Sequence, residues 1–293
     1  MKIGTYYAYW EKEWDGVDFF PYIGKVKELG FDVLEISGGS LEQLSDEDAQ
    51  SLGKAAKDAG ITLTACIGLP EQYDVSSEKE EVRQAGIQYV KKILNKMKLA
   101  GISQLGGITY AYWPYNYDKP VNKEKTREIS IGSVRDIADY AMSLGIRLTL
   151  EVVNRYEHFL MNTSKEAVEF VRDVDRENVY VMLDAYHMNI EEDSFREAIL
   201  TAGKKLGHFH IGEANRKVPG SGRLPWQEMA DALHEIGYEG TVVMEPFVRP
   251  GGTVGSDIKV WRDLSDHADE KKLDDDIRRS CAFCQKLFNS VGA

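Results

Sequence analysis

The sequence predicts a single (β/α)8 barrel, on three observations. Short apolar runs rich in β-branched and aromatic residues alternate with helical patterns about eight times, without a linker or a break in composition. Strands that alternate with helices pair in parallel, and eight such units in 293 residues suit one closed barrel. Four successive later strands also end on an acidic or imidazole group: Glu151, Asp184, His210 and Glu245. An open, doubly wound sheet is the competing fold, but it usually carries a glycine-rich turn after its first strand. Here that turn holds Tyr6, Tyr7, Tyr9, Trp10 and Trp14. The expectation is one catalytic domain over residues 1–293.

Each element has its reason. Residues 3–9 form an aromatic-rich first strand, and 19–29 a helix in which Pro21 is tolerable only in the first turn. Gly30 stops it, and 31–36 is the second strand. Ser45-Asp-Glu-Asp48 reads as a capping box opening a helix to Ala59, with Gly60 as its stop. Residues 61–67 are the third strand. A long amphipathic helix over 77–100 ends at Gly101, the fourth strand covers 102–110, and a helix follows over 122–144. The fifth strand, 147–154, contains Glu151. Thr163-Ser-Lys-Glu166 is a second capping box, for a helix to Val174. Then come a strand at 179–184, a helix at 194–202, a strand at 206–211, a helix at 226–236 and a strand at 241–247. The loop 248–254 is free to serve an interface. A helical tail runs over 256–287, and its 269–276 charge cluster reads as a solvated face.

Bulk properties narrow the function. Lys and Arg number 36 against 48 Asp and Glu, a net charge of −12, which argues against nucleic acid because phosphate contacts need basic patches. No apolar run approaches the ~20 residues that span a membrane. A strand beginning at Lys2 leaves no room for a signal peptide, and three cysteines suit a reducing, cytoplasmic compartment. Cys281 and Cys284 form a C-x-x-C inside a helical pattern and read as structural.

The four strand-end groups are spaced by 33, 26 and 35 residues, about one βα unit each. They should therefore recur at equivalent heights on the C-terminal face, where barrel active sites lie. With a strand period of two, Thr149/Glu151, Met182/Asp184, His208/His210 and Val243/Glu245 should point inward, and Leu150, Leu183, Phe209 and Met244 toward the helices. Three converging carboxylates raise one another's pKa unless a cation joins them. An oxygen-rich set with one imidazole suits Mn²⁺, Co²⁺, Mg²⁺ or Zn²⁺. Around this set, Glu157, His187 and Arg216 should sit in βα loops and reach a polyol. Tyr6, Trp14, Trp113 and Phe247 could form an apolar wall against a sugar, or simply pack. Residues 219–222, beside Arg216, Lys217 and Arg223, read as a loop at the mouth rather than a phosphate cradle, since the helix at Pro225-Trp226 opens late.

On these residues the chain resembles the ketose 3-epimerases (D-psicose, or D-allulose, and D-tagatose 3-epimerases) of the sugar isomerase/epimerase barrels. The likeness covers nearly the whole chain. It rests on Gly4-Thr-Tyr-Tyr-Ala-Tyr-Trp10, Leu150-Glu-Val-Val-Asn-Arg-Tyr-Glu157, residues 182–194, Gly207-His-Phe-His-Ile-Gly-Glu-Ala-Asn-Arg216, 218–226 and Met244-Glu-Pro-Phe247. One departure is Ile211, where threonine is expected. The resemblance implies that Glu151, Asp184, His210 and Glu245 hold a metal, typically Mn²⁺ or Co²⁺. It also implies that Glu157, His187 and Arg216 bind the O1–O3 end of the sugar, and that the enzyme is a dimer or tetramer. The implied reaction is C3 epimerisation of a free ketohexose through an enediolate, D-psicose with D-fructose or D-tagatose with D-sorbose. Inverting a carbon requires proton removal on one face and return on the other, which suits two carboxylates, Glu151 and Glu245. The alternatives are an aldose–ketose or hydroxypyruvate-type isomerase, or an epimerase of sugar phosphates.

Overall fold

A computed structural model describes residues 1–118 and 120–289; the last four positions of the expected 1–293 domain, and Lys119, lie outside the described residues. The strands are β1 (Lys2–Tyr6), β2 (Val33–Ser37), β3 (Thr62–Leu69), β4 (Gln104–Tyr112), β5 (Arg147–Glu151), β6 (Val179–Asp184), β7 (Leu206–Ile211) and β8 (Thr241–Met244). They pair in parallel in chain order, and β8 closes on β1. The single (β/α)8 barrel is therefore observed.

The major helices are α1 (Phe20–Leu29), α3 (Asp46–Ala59), α4 (Glu80–Leu99), α5 (Lys123–Ser143), α6 (Ser164–Val174), α8 (Phe195–Ala202), α9 (Trp226–Glu235) and α11 (Glu270–Asn289). Their boundaries follow local chemistry. Ser45 Oγ accepts the Asp48 N–H, and Thr163 Oγ1 accepts the Glu166 N–H, so both predicted caps form. Each contributes about 1 kcal/mol. The second is not a reciprocal box, because the Glu166 carboxylate takes the N–H of Asn162 instead. Gly60 ends α3 in the left-handed region, where a side chain would be strained.

Three short helices went unpredicted: α2 (Gly38–Gln43), α7 (Ala185–Glu191) and α10 (Gly252–Asp257). α2 and α7 follow their strands directly, α10 follows β8 after seven residues, and one or two turns are too short to show a 3.6-residue pattern. β1 ends at Tyr6, not residue 9, because Tyr7–Tyr9 turn into a 3₁₀ segment. β5 ends at Glu151, and the helix expected over 256–287 forms only from Glu270, as α11, apart from residues 256 and 257 at the end of α10.

The register shows how strand ends converge. Glu151 is level with Met182, Asp184 with His210, and His210 with Val243. Asp184 and His210 are thus level in register, whereas Glu151 and Asp184, and His210 and Glu245, are each offset by two residues, as the shear of a tilted barrel allows. The inward pairs are as expected where contacts report on them. A Cβ placed on Gly106 would meet Met182 Sδ and Thr149 Oγ1, and His208 and His210 both face Glu35. The outward residues Leu150, Leu183, Phe209 and Met244 are fully buried. Burying such a side chain contributes ~1.5–3 kcal/mol.

Candidate active site

His210 is the pivot. It is fully buried on β7, and its Nε2 lies 2.5 Å from Glu35 Oε1. Glu35, fully buried on β2, also accepts from Thr64 Oγ1 at 2.7 Å and lies 3.0 Å from His208 Nε2. Burial opposes charge on Glu35, but His208 and His210 hold its carboxyl well below the usual carboxylate range. The His210 Nε2–H therefore donates to Glu35, and Nδ1 faces the mouth. Nδ1 is buried and makes no hydrogen bond, with Glu245 Oε1 3.4 Å away. Burial disfavours charge on this ring, yet Glu245 and Glu35 outweigh it and raise its pKa well above that of an ordinary histidine.

The carboxylates behave as an uncompensated set. Burial, then the charge of Glu245, push Glu151 well above the usual carboxylate range. One ligand atom from each of Glu151, His210 and Glu245 lies within 4.8 Å of the others, and so do atoms of Glu151, Asp184 and His187. The four expected ligands thus fall into two overlapping groups that share Glu151. The orphaned Nδ1 of His210 among carboxylate oxygens fits a divalent cation, which would take the position a proton otherwise fills.

Asp184 and Glu245 are meanwhile bridged by Arg216, whose Nη1 lies 3.0 Å from Asp184 Oδ2 and 3.1 Å from Glu245 Oε2. The buried guanidinium stacks 3.7 Å over the Tyr186 ring, and its Nε has no hydrogen-bond partner among the described residues. His187 lies on α7, not in a loop as expected, so one turn of helix carries it back over Asp184. Its Nδ1 accepts the Asn154 N–H at 3.2 Å. Burial pushes its pKa down to about 3, so the ring is neutral with its proton on Nε2. That Nε2 faces Asp184 Oδ2 at 3.5 Å and Glu151 Oε1 at 3.8 Å. His187 is therefore a hydrogen-bond donor to the mouth, whereas His210 Nδ1 would present a lone pair only where a cation takes the place of its proton. Glu157 is held by Asn154 Nδ2 at 3.0 Å and by Trp113 Nε1 at 2.9 Å.

The aromatic residues meet as one wall. Trp14 lies edge-on to Trp113 and to Phe247, with centroids 6.1 and 5.8 Å apart, and Tyr6 is edge-on to Phe247 at 6.4 Å. Asp257, on α10, accepts from Trp14 Nε1 at 2.9 Å and fixes the indole. Together with Glu151, Glu157, His187, Arg216 and Glu245, these four aromatics line a cavity of about 220 Å³. Ile211 follows His210 on β7 and so points away from it, which keeps this departure out of the site. The 219–222 loop is irregular as expected.

All eleven anticipated residues gather at this mouth or its floor. Sequence reasoning missed Glu35, Asn154 and Asp257. Glu35 gives the same signal as Glu151, a charge inside an apolar strand run.

Fold and site together define a xylose isomerase-like barrel. The family described as "Xylose isomerase-like TIM barrel" matches residues 23–279, and the chain belongs to it, within the branch of the ketose 3-epimerases. It is 50% identical over 283 residues to the D-psicose 3-epimerase of Agrobacterium fabrum, covering 97% of this chain and 98% of that one. A crystal structure of a D-psicose 3-epimerase in the presence of D-fructose has a TM-score of 0.97 at 49% identity, covering 99% of this chain and all of that one. The D-psicose 3-epimerase of Clostridium cellulolyticum H10 with D-tagatose gives 0.97 at 49% identity, covering 98% and 99%.

Proposed function

We propose that the chain acts as one catalytic unit that interconverts a free ketohexose with its C3 epimer, D-psicose with D-fructose, and D-tagatose with D-sorbose as a further pair. The observation that carries this reading is the meeting of Glu151 and Glu245 beside His210 in a cavity with an aromatic wall. The names of the similar enzymes support it.

Glu151, Asp184, His210 and Glu245 would hold a divalent cation, Mn²⁺ or Co²⁺ in preference to Mg²⁺. When bound, it would polarise the sugar carbonyl as a Lewis acid. Glu151 and Glu245 come from strands on different sides of the mouth. One takes the C3 proton, the other delivers a proton to the opposite face of the enediolate, and the roles exchange in reverse. His187 donates its Nε2–H to a sugar oxygen, the partnerless Nε of Arg216 does the same, and Glu157 accepts from a sugar hydroxyl. Tyr6, Trp14, Trp113 and Phe247 cover the C–H face and exclude water. Cytoplasmic action is consistent with three free, buried thiols, and a homodimer or homotetramer is the proposed assembly.

Purified protein with Mn²⁺ and D-psicose should form D-fructose, and in deuterated water the label should enter at C3. A ketose panel without any C3 epimer, or label at C1, would overturn the assignment.

A further inference from the structure

Glu213 is 1% exposed and lies two residues beyond β7, and among the described residues its carboxylate bonds to none of the site groups above. Its carboxylate is enclosed by donors from the following stretch of the same loop and from the first residue of α9. Oε1 accepts from Gly220 N at 2.8 Å and Trp226 Nε1 at 3.0 Å; Oε2 accepts from Arg223 N at 3.1 Å and Leu224 N at 3.5 Å. A Cβ on Gly222 would come within 2.3 Å of Oε2, so glycine is required for this close approach. Successive main-chain N–H groups of this kind form a nest that takes anions. The nest follows strand seven, where barrels often bind phosphate, and here the chain supplies its own anion.

The same residue holds Arg216 through its main chain. Arg216 N donates to Glu213 O at 2.8 Å, and Glu213 N donates to Lys217 O at 2.9 Å. Arg216 itself sits at φ 65°, a left-handed conformation that a side chain keeps only when its surroundings impose it. Its carbonyl is tied to Phe247 N at 2.8 Å.

We propose that Glu213 is the positioning residue for Arg216: an internal anion that locks the loop after strand seven and so holds the guanidinium in the mouth. The inference rests on the reading of Arg216 as a sugar-binding group. Without the carboxylate, four donors lose their acceptor, the 213–217 turn is released, and Arg216 can leave its left-handed conformation. Arg216 moves no proton in the proposed reaction, so the loss appears in sugar binding and not in chemistry.

The test uses the Mn²⁺-loaded protein and the variants Glu213→Gln, Glu213→Ala and Trp226→Phe. Glutamine keeps the shape, but whichever end carries the amide NH₂ then faces two donors. KM for D-psicose should rise about tenfold or more in Glu213→Gln, the scale of one lost charge-assisted hydrogen bond, with kcat close to wild type. Trp226→Phe, which removes one donor, should show a smaller rise. Formate should lower the KM of Glu213→Ala and raise its melting temperature, while sodium chloride at equal ionic strength does neither. If Glu213→Ala does not fold, Glu213→Gln and Trp226→Phe carry the test. An unchanged KM in Glu213→Gln, a fall in kcat alone, or a folded Glu213→Ala indifferent to formate would overturn the proposal. The melting response to formate is read without turnover. Failure of the wild type to act on any ketose would count against the proposed reaction and leave the role of the nest measurable.

Discussion

Glu35→Gln isolates the charge beneath His210. In the wild type, Glu35 meets His210 Nε2 at 2.5 Å, Thr64 Oγ1 at 2.7 Å and His208 Nε2 at 3.0 Å, all fully out of solvent. Glutamine is isosteric, and its carbonyl oxygen can still accept from His210, while Thr64 can rotate to accept from the new NH₂. The hydrogen bond survives and its charge does not. A charge-assisted bond exceeds a neutral one by ~1–1.5 kcal/mol, so the Kd for Mn²⁺ should rise about tenfold, within the ~10–100-fold range of groups that orient a metal-binding histidine. Titration calorimetry of Mn²⁺ into metal-free protein at pH 7 measures this directly. Thr64→Val removes only the threonine contact and controls for packing. A Kd for Glu35→Gln within twofold of wild type, or the same loss in Thr64→Val, would refute the reasoning.

Glu151→Gln and Glu245→Gln should each lower turnover of D-psicose by about 10²–10⁴ while the barrel stays folded, as loss of a proton-transfer group does; liquid chromatography of the products and circular dichroism check the two halves. Dialysis against EDTA should abolish turnover, and Mn²⁺ at ~100 Kd should restore it and add about 2.7 kcal/mol of stability, seen as a higher melting temperature. His158 is buried and its pKa is pushed down to about 3, by burial first and then by Lys123. Its neutral folded form binds fewer protons than the unfolded chain between about pH 3 and the unfolded value of 6.5. Stability from this group is therefore full above that value and falls as pH drops toward 3, by up to ~1.4 kcal/mol per unit. Urea unfolding of His158→Gln between pH 7 and 5 should show a shallower loss than wild type.

The barrel was legible because alternation of element type survives single errors of boundary. The four strand-end groups were legible because one charge in an apolar run is costly, and four at one-unit spacing select a face. The same logic applied to residues 31–36 exposes Glu35, a partner 175 positions from His210 in the chain. What pairs with it is invisible before closure, because β2 and β7 meet only across the barrel interior. The position of His187 on α7 was hidden for another reason. A seven-residue helix starting directly after Asp184 leaves no loop, and Asp184 serves as its cap by accepting the Tyr186 N–H. A strand-end carboxylate thus has two tasks, and the spacing argument sees only one.

The electrostatics explain why these groups need one another. Glu151, Glu157, Asp184 and Glu245 crowd one mouth with Glu35 beneath it, and the cationic groups in direct reach are Arg216 and the His210 ring. Arg216 is already shared between Asp184 and Glu245, and its pull on Glu151, with that of His210, does not offset burial and then the charge of Glu245, so the Glu151 pKa stays raised. A divalent cation at His210 Nδ1 would supply that missing charge, depress the Glu151 pKa and ready it as a base. It would also loosen the hold of Asp184 and Glu245 on Arg216, leaving the guanidinium free to turn its Nε toward a sugar. On this argument, metal and sugar affinity are coupled through Arg216. D-psicose should then bind more weakly to metal-free protein than loss of its metal contact alone predicts, and Arg216→Lys should shrink that difference in equilibrium titrations of the two forms. Equal metal dependence in Arg216→Lys and wild type would show that the guanidinium carries no such coupling.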